Sequence, residues 1–352
     1  MPMIVFLIAT LLSASLASAQ TVFPARADIS PTILTIYSSL DESVSLPLIQ
    51  AYQKQFENVE IHYHDLQSLD IYERVIQESD AGQGTADLVL SSAMDLQVKL
   101  ANDGYAENLG TQMPPWPHWA KWRNSAYGLT FEPSVIVYHK PSFLQIKPPA
   151  NRAELIKLLS AGDDPLFNRT ATYDIERSGL GFLFLARDTE HDRKIWQLVN
   201  ALGSAGVKLF SNSSAILERV ADGRLALGYN ILGSYAQAWA NKFPDLGIIF
   251  PEDYTVVMSR IALVPKEARQ PQPGRQMLTF LMSSQGQLIM AQDLQLPALH
   301  PEIDGQNTAS AFRSKYGARL RPIPIGPGLV AYLDQVKRAR FIDRWNKALR
   351  GE

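Results

Sequence analysis

The 352-residue chain contains no cysteine. That excludes disulfides, thiolate metal sites, a thiol nucleophile and a lipid anchor on cysteine. It also lacks a charge excess. Lys and Arg number 33 against 35 Asp and Glu, for a formal net charge of -2, so bulk electrostatic binding to nucleic acid is not expected. No run of like charges suggests an interaction tail, and neither an internal repeat nor a long low-complexity segment occurs. The G-x-S-x-G elbow, the G-x-x-x-x-G-K-[ST] phosphate loop and the H-E-x-x-H pair are all missing. GSAGV at 203–207 has no following Lys-Ser/Thr pair. The expectation is a binder with no catalytic residue, no resident metal and no cofactor.

Long hydrophobic runs are missing too. The longest, Met3 to Leu12, is followed by small residues and by Ala17-Ser18-Ala19. It is shorter than the roughly 20 residues of a membrane span and has the h-region and A-x-A pattern of a secretory signal, although its first residues carry no Lys or Arg. A signal peptide over 1–19 is therefore expected, with no membrane insertion after cleavage. Export without disulfides fits a bacterial periplasm.

What is present is enough apolar material, 46%, for two packed lobes. Stretches 33–39, 59–65 and 86–93 read as strands, separated and followed by helical spacing at 43–56, 71–81 and 95–103. This β-α-β-α order predicts a mostly parallel sheet covered on both faces. AYGLTFEPSVIVYHK at 126–140 reads as extended chain crossing between lobes. A second α/β unit follows, with helices over 179–187, 193–203 and 213–222, then an extended return near 246–266. A helix over 275–293 and a final amphipathic helix over 329–349 complete the pattern. Lobe 1 is expected over 28–130 plus 256–300, and lobe 2 over 131–255 plus 301–352.

Ligands of open α/β sheets sit at the carboxyl ends of strands. Three such ends carry small polar residues: Ser38-Ser39 with Asp41, Ser91-Ser92, and Arg177-Ser178-Gly179 within YDIERSGLGF. At the last, a helix start offers free N–H groups, glycine allows close approach, and arginine adds a fork for phosphate or carboxylate. The competing reading is local: the serines cap helices and Arg177 pairs with Glu176 or Asp174. Asp41 would repel an anion, so it caps a helix or takes a sugar-type hydroxyl. Thr130 and Glu132 lie on the crossing, and Arg260 on the return is a second counter-charge or a surface ion pair. His62 and His64 share a strand face without a third ligand nearby. Trp116, Trp119 and Trp122 read first as packing.

The order and spacing of LTIYSSLDE, GTADLVLSSAMDLQVKLANDGYAENL, AYGLTFEPSVIVYHK, TYDIERSGLGF, FSNSSAILERVADGRLALGYNILGSYA and LVPKEARQPQPGRQMLTFLMSSQGQ resemble those of a type II periplasmic solute-binding protein of an ABC transporter. The similar branch includes ferric-ion binders, and AYGLTFEP and YDIERSGLG are nearest in flavour to the phosphoglycerate transport regulatory protein and related sugar-phosphate binders. The resemblance implies an α/β fold of two lobes joined by hinge crossings. It matches the anion-binding turn to Ser178-Gly179-Leu180 and places Asn212, Tyr229 and Asn230 in the cleft. Ferric binders use paired tyrosines; the matching stretch 228–233 has one, which implies an anion binder without its metal, with an Fe(III)-binding transport protein as the alternative reading. The implied partners are a small anionic solute, such as a phosphorylated organic compound, and either an ABC transporter permease or a sensor kinase's periplasmic domain.

Overall fold

The computed structural model describes residues 20–28, 30–161 and 166–352. The expected signal segment, 1–19, lies outside the described residues. The first sheet starts with β1 (Gln20–Phe23), β2 (Thr32–Ser38), β3 (Val59–Asp65) and β4 (Leu88–Ser91), and continues with β5 (Lys121–Trp122) and β6 (Ala126–Gly128). The second sheet holds β7 (Glu132–His139), β8 (Thr170–Tyr173), β9 (Lys208–Phe210), β10 (Leu227–Leu232), β11 (Leu246–Ile249) and β12 (Thr255–Met258). The chain then returns to the first sheet as β13 (Ile261–Leu263) and ends in the second as β14 (Leu320–Pro322). Strand order is β1-β3-β2-β4-β13-β6-β5 in one sheet and β14-β12-β7-β10-β8-β9 in the other, with β11 also on β7. Pairs β2–β3, β2–β4, β8–β9 and β8–β10 are parallel, as β-α-β connections require.

The expected α/β fold of two lobes joined by extended crossings is therefore present, but the sheets are mixed rather than mostly parallel. Pairs β1–β3, β4–β13, β6–β13, β5–β6, β7–β10, β7–β11 and β7–β12 are antiparallel, where edge strands and the crossings join the sheets. Residues 129–131 link β6 to β7, and Ser259-Arg260 links β12 to β13. These links run side by side. Leu129 N–H donates to the Arg260 carbonyl (2.8 Å), Arg260 N–H to Thr130 Oγ1 (2.8 Å) and Thr130 N–H to Ser259 Oγ (3.2 Å). The second crossing lies slightly later than the sequence suggests, because Thr255–Met258 pairs with β7 and β14 in the second sheet.

Three other elements differ from expectation. Gln20–Phe23 forms an edge strand on β3 that periodicity over four residues does not reveal. The expected 275–293 helix is two helices, Pro271–Met282 and Ser284–Gln292. Ser283 leaves helical geometry and caps the second by accepting from Gly286 N–H. The last helix begins later, at Gln335, because Asp334 caps it after a 3-10 turn at Pro327–Tyr332. No helix of the described residues is long and apolar enough to cross a membrane.

Candidate ligand-binding cleft

Five helices begin at strand ends that face each other across the two sheets. In the first lobe these are α1 (Glu42–Gln55), α2 (Ser68–Asp80) and α3 (Met94–Asn102). In the second, after α4 (Arg152–Leu159), they are α5 (Gly179–His191) and, beyond α6 (Ile195–Ser204), α7 (Ser213–Ala221). A cavity of about 210 Å³ lies where these starts converge. The first lobe contributes Ser39, Asp41, Asp65, Gln67, Ser68 and Ser92; the second contributes Ser178, Asn212, Ser213, Ser214 and Tyr235. Arg260, on the crossing itself, forms part of the wall. Hydroxyls from both lobes and the N-terminal ends of five helices thus meet at one partly open space.

Local bonds explain which serine of each pair turns inward to the cavity. Ser38 and Ser91 are fully buried, and their hydroxyls accept from Leu40 and Ala93 N–H (3.0 and 3.3 Å). Ser39 and Ser92 continue past the strand ends into the cavity wall, with their hydroxyls 3.3 Å apart and Ser39 Oγ accepting from Ser92 N–H (3.0 Å). Ser178 caps α5 by accepting from Gly181 N–H (3.1 Å), and Asn212 caps α7 by accepting from Ala215 N–H (2.9 Å). Both cap their helices while lining the cavity, so the capping and cavity readings are compatible.

Arg260 is 1% exposed and sits beside Glu132, itself fully buried. Its Nε lies 3.0 Å from Glu132 Oε1 but out of line for a hydrogen bond, and its other contacts are long: 3.4 Å to Glu132 Oε2 and 3.4 Å to the Ser39 carbonyl. Glu132 is shared, because Thr130 Oγ1 donates to Oε1 (2.7 Å) and Ser234 Oγ donates to Oε2. The arginine is therefore held charged and in place, with donor capacity unfilled.

The two cavity carboxylates are unlike. Asp41 accepts from Tyr235 OH and from Ser214 Oγ, each at 2.8 Å. Its charge is satisfied within the protein; of the two expected roles, capping α1 is not seen, since it makes no side-chain cap bond there. Asp65 accepts from Glu42 N–H (3.1 Å). Loss of hydration and the neighbouring Asp41 and Glu42 push its carboxyl up to about 6. Asp95, in the first turn of α3, is pushed to about 7 by burial.

Besides the buried Ser38 and Ser91, five expected site residues do not line the cavity: Arg177, Thr130, Tyr229, Asn230 and Gly179. Arg177 is exposed and does not line the cavity; the turn 174–178 closes on Asp174 and leaves its side chain outside. Thr130 braces Glu132 and the Arg260 backbone within the hinge. Tyr229 and Asn230 turn into the second lobe, where both donate to Asp188 Oδ2 (2.8 and 2.7 Å). Asn230 adopts the left-handed conformation (φ 63°) to do so. Gly179 adds no polar group; a methyl there would lie 2.9 Å from Leu96 Cδ1 and Ser68 Oγ, and 3.2 Å from Ala93 Cβ, so glycine permits α5 to approach the first lobe. His62 pairs with Glu60 (2.8 Å), and His64 packs edge-on against Tyr37. Trp116 is buried, donating to the Gly128 carbonyl (2.8 Å). No group of three or more His, Asp or Glu among the described residues could hold a metal ion.

Sequence reasoning missed Asp65, Ser68 and Tyr235. The end of β3 followed by a helix was the available signal for the first two. It was obscured because the strand ends in a carboxylate rather than in paired serines. Tyr235 lies two residues beyond the stretch compared with the ferric binders.

Similarity to known proteins follows the same outline. In solved structures, the substrate-binding protein of an ABC transporter from Agrobacterium tumefaciens is 56% identical, covering 94% of this chain and 98% of that one, with a TM-score of 0.91. AfuA from Actinobacillus pleuropneumoniae, with exogenous fructose-6-phosphate bound, is 16% identical over 90% of this chain and 98% of its own (TM-score 0.71). Iron-bound HitA from Pseudomonas aeruginosa is 16% identical over 90% and 99% (TM-score 0.69). At that identity the last two show the shared fold alone. No curated protein sequence matches the chain. A family model for bacterial extracellular solute-binding proteins matches residues 47–310, and with a two-lobed fold closing on a polar cavity, the chain belongs to that family.

Proposed function

We propose that the protein captures a compact anionic solute, most simply a phosphorylated organic compound, and delivers it to an ABC transporter permease in the periplasm. One observation carries this reading: five helix starts from both lobes converge with Arg260 on a single cavity. Helix-start N–H groups and hydroxyls would hold the anion's oxygens, and Arg260 would supply the charge that sequence reasoning assigned to Arg177. The cavity volume, about 210 Å³, is below the usual range of roughly 300–1,000 Å³ for ligand pockets, which favours a small solute. The Agrobacterium relative's designation as an ABC transporter component supports the delivery role. The fructose-6-phosphate on AfuA supports the ligand class through a shared fold.

The test is a thermal-shift screen with glycerol 3-phosphate, fructose 6-phosphate, inorganic phosphate, dicarboxylates and Fe(III). A ligand at 100 times its Kd adds about 2.7 kcal/mol. An organic phosphate should raise Tm by several degrees; Arg260→Gln should lose the shift and Arg177→Ala should keep it. A shift only with Fe(III), or none with any charged compound, overturns the reading.

A further inference from the structure

Asp41 belongs to the first lobe, at the start of α1; Ser214, in α7, and Tyr235, in the first turn of α8 (Gly233–Ala240), belong to the second. All three meet across the cleft. Tyr235 OH donates to Asp41 Oδ1 and Ser214 Oγ donates to Oδ2, both at 2.8 Å, and Asp41 N–H donates back to Tyr235 OH (3.1 Å). An aspartate before a helix ordinarily accepts from that helix's own N–H groups. This one makes no such bond; both its oxygens go to the opposite lobe. Tyr235 is 6% exposed, and the Arg260 guanidinium lies 5.4 Å from its ring centroid, so the contact sits against the hinge arginine. Nearby, Gly179 lets the start of α5 close onto Leu96 and Ala93 of the first lobe.

We infer that Asp41 is the positioning residue for lobe closure: a carboxylate latch in the cavity wall, completed by Tyr235 and Ser214, that holds the cleft shut. Two charge-assisted hydrogen bonds across the cleft favour the closed form over the open one, in which both partners are hydrated. Because a solute shifts the equilibrium only by its preference for the closed form, a latch that pre-populates this form raises apparent affinity. The inference concerns the same cleft as the proposed function but does not depend on what fills it.

The test uses no solute. Since the chain has no cysteine, Glu73→Cys on α2 and Glu218→Cys on α7 provide unique spin-label sites, one per lobe. The doubly labelled protein is unfolded, dialysed and refolded to strip any co-purified solute, and the interlobe distance distribution is measured by double electron–electron resonance. The expected result is a short-distance population whose ratio to the long one falls about tenfold or more in Asp41→Ala and in Tyr235→Phe. Arg275→Gln, which removes an ion pair to Glu107 inside the first lobe, should leave the distribution unchanged. Tm of Tyr235→Phe should stay near that of the parent, separating loss of the latch from loss of folding. A stripped parent showing only the long distance, or identical distributions in the parent, Asp41→Ala and Tyr235→Phe, overturns the inference. Failure of the phosphate screen would leave this result standing, and the reverse also holds.

Discussion

Arg152 and Arg260 are each at most 2% exposed and each faces a carboxylate, yet their surroundings differ in kind. Arg152 is saturated. Its Nε donates to Tyr229 OH (2.7 Å), Nη1 to Asp253 Oδ1 (3.0 Å) and the Tyr254 carbonyl (2.8 Å), and Nη2 to Asp188 Oδ1 (3.0 Å). Its guanidinium also lies 3.6 Å from the Tyr254 ring centroid. Arg260 has one carboxylate, no aligned bond from Nε and two contacts at 3.4 Å. The first is a finished internal network that ties α4 to β10 and α5. The second is incomplete and borders a cavity. Unfilled donor capacity on a buried, fixed cation is a better pointer to a ligand than proximity to a recognisable turn, which is all that Arg177 has.

Substituting each arginine tests the contrast directly. Arg152→Met removes one side of a buried charge network and should cost about 3–5 kcal/mol of unfolding free energy, read in a denaturant titration, with little specific effect on solute affinity in whatever protein remains folded. Arg260→Gln should reverse the emphasis. Affinity for the organic phosphate found by the screen should fall about 100-fold or more, roughly 2.7 kcal/mol, while stability falls less than for Arg152→Met. Equal stability losses in the two variants would erase the distinction.

Asp95 sharpens the comparison as a buried carboxylate with no ion pair among the described residues, accepting from Leu96 N–H at 3.0 Å. Burial raises its folded-state value to about 7 from 3.8. Its favourable contribution is therefore present below pH 4 and lost as pH rises towards 7 and beyond. Asp95→Asn should gain about 1–3 kcal/mol at pH 8 relative to the parent and nothing at pH 4, checked by urea melts at both. The smallest effect concerns Asp65. Its carboxyl, at about 6, adds negative charge to the cavity above that pH. Anion affinity should rise a few-fold as pH falls through 6, and Asp65→Asn should flatten that profile in calorimetric titrations.

The parallel β-α-β part of each sheet and most strand-end turns were legible because they are local: β-branched runs, small polar residues, then helical spacing. The antiparallel pairs made by edge and crossing strands were not. The strand-end logic reaches Ser39, Ser92, Ser178 and Asn212. It does not distinguish Ser39 from Ser38, because the choice depends on which hydroxyl satisfies Leu40 N–H. Nor does it find the fate of Tyr229 and Asn230. They occupy a strand end like the serines, yet Asp188 draws them inward to complete a network with Arg152, far away in sequence. Asp41 misleads for the same reason: its sequence position says cap, and its partners lie 173 and 194 residues further along the chain.

Arg260 occupies one of only two positions between β12 and β13, so the side chain proposed to read the solute also sits on a link about which the lobes would turn. Reader and pivot are then one component, with no intervening relay to tune. Under selection or engineering, grip and release would be inherited together. A variant chosen there for tighter hold would surrender its cargo more slowly, and independent adjustment of the two would have to come from the interlobe contact of Asp41, Ser214 and Tyr235.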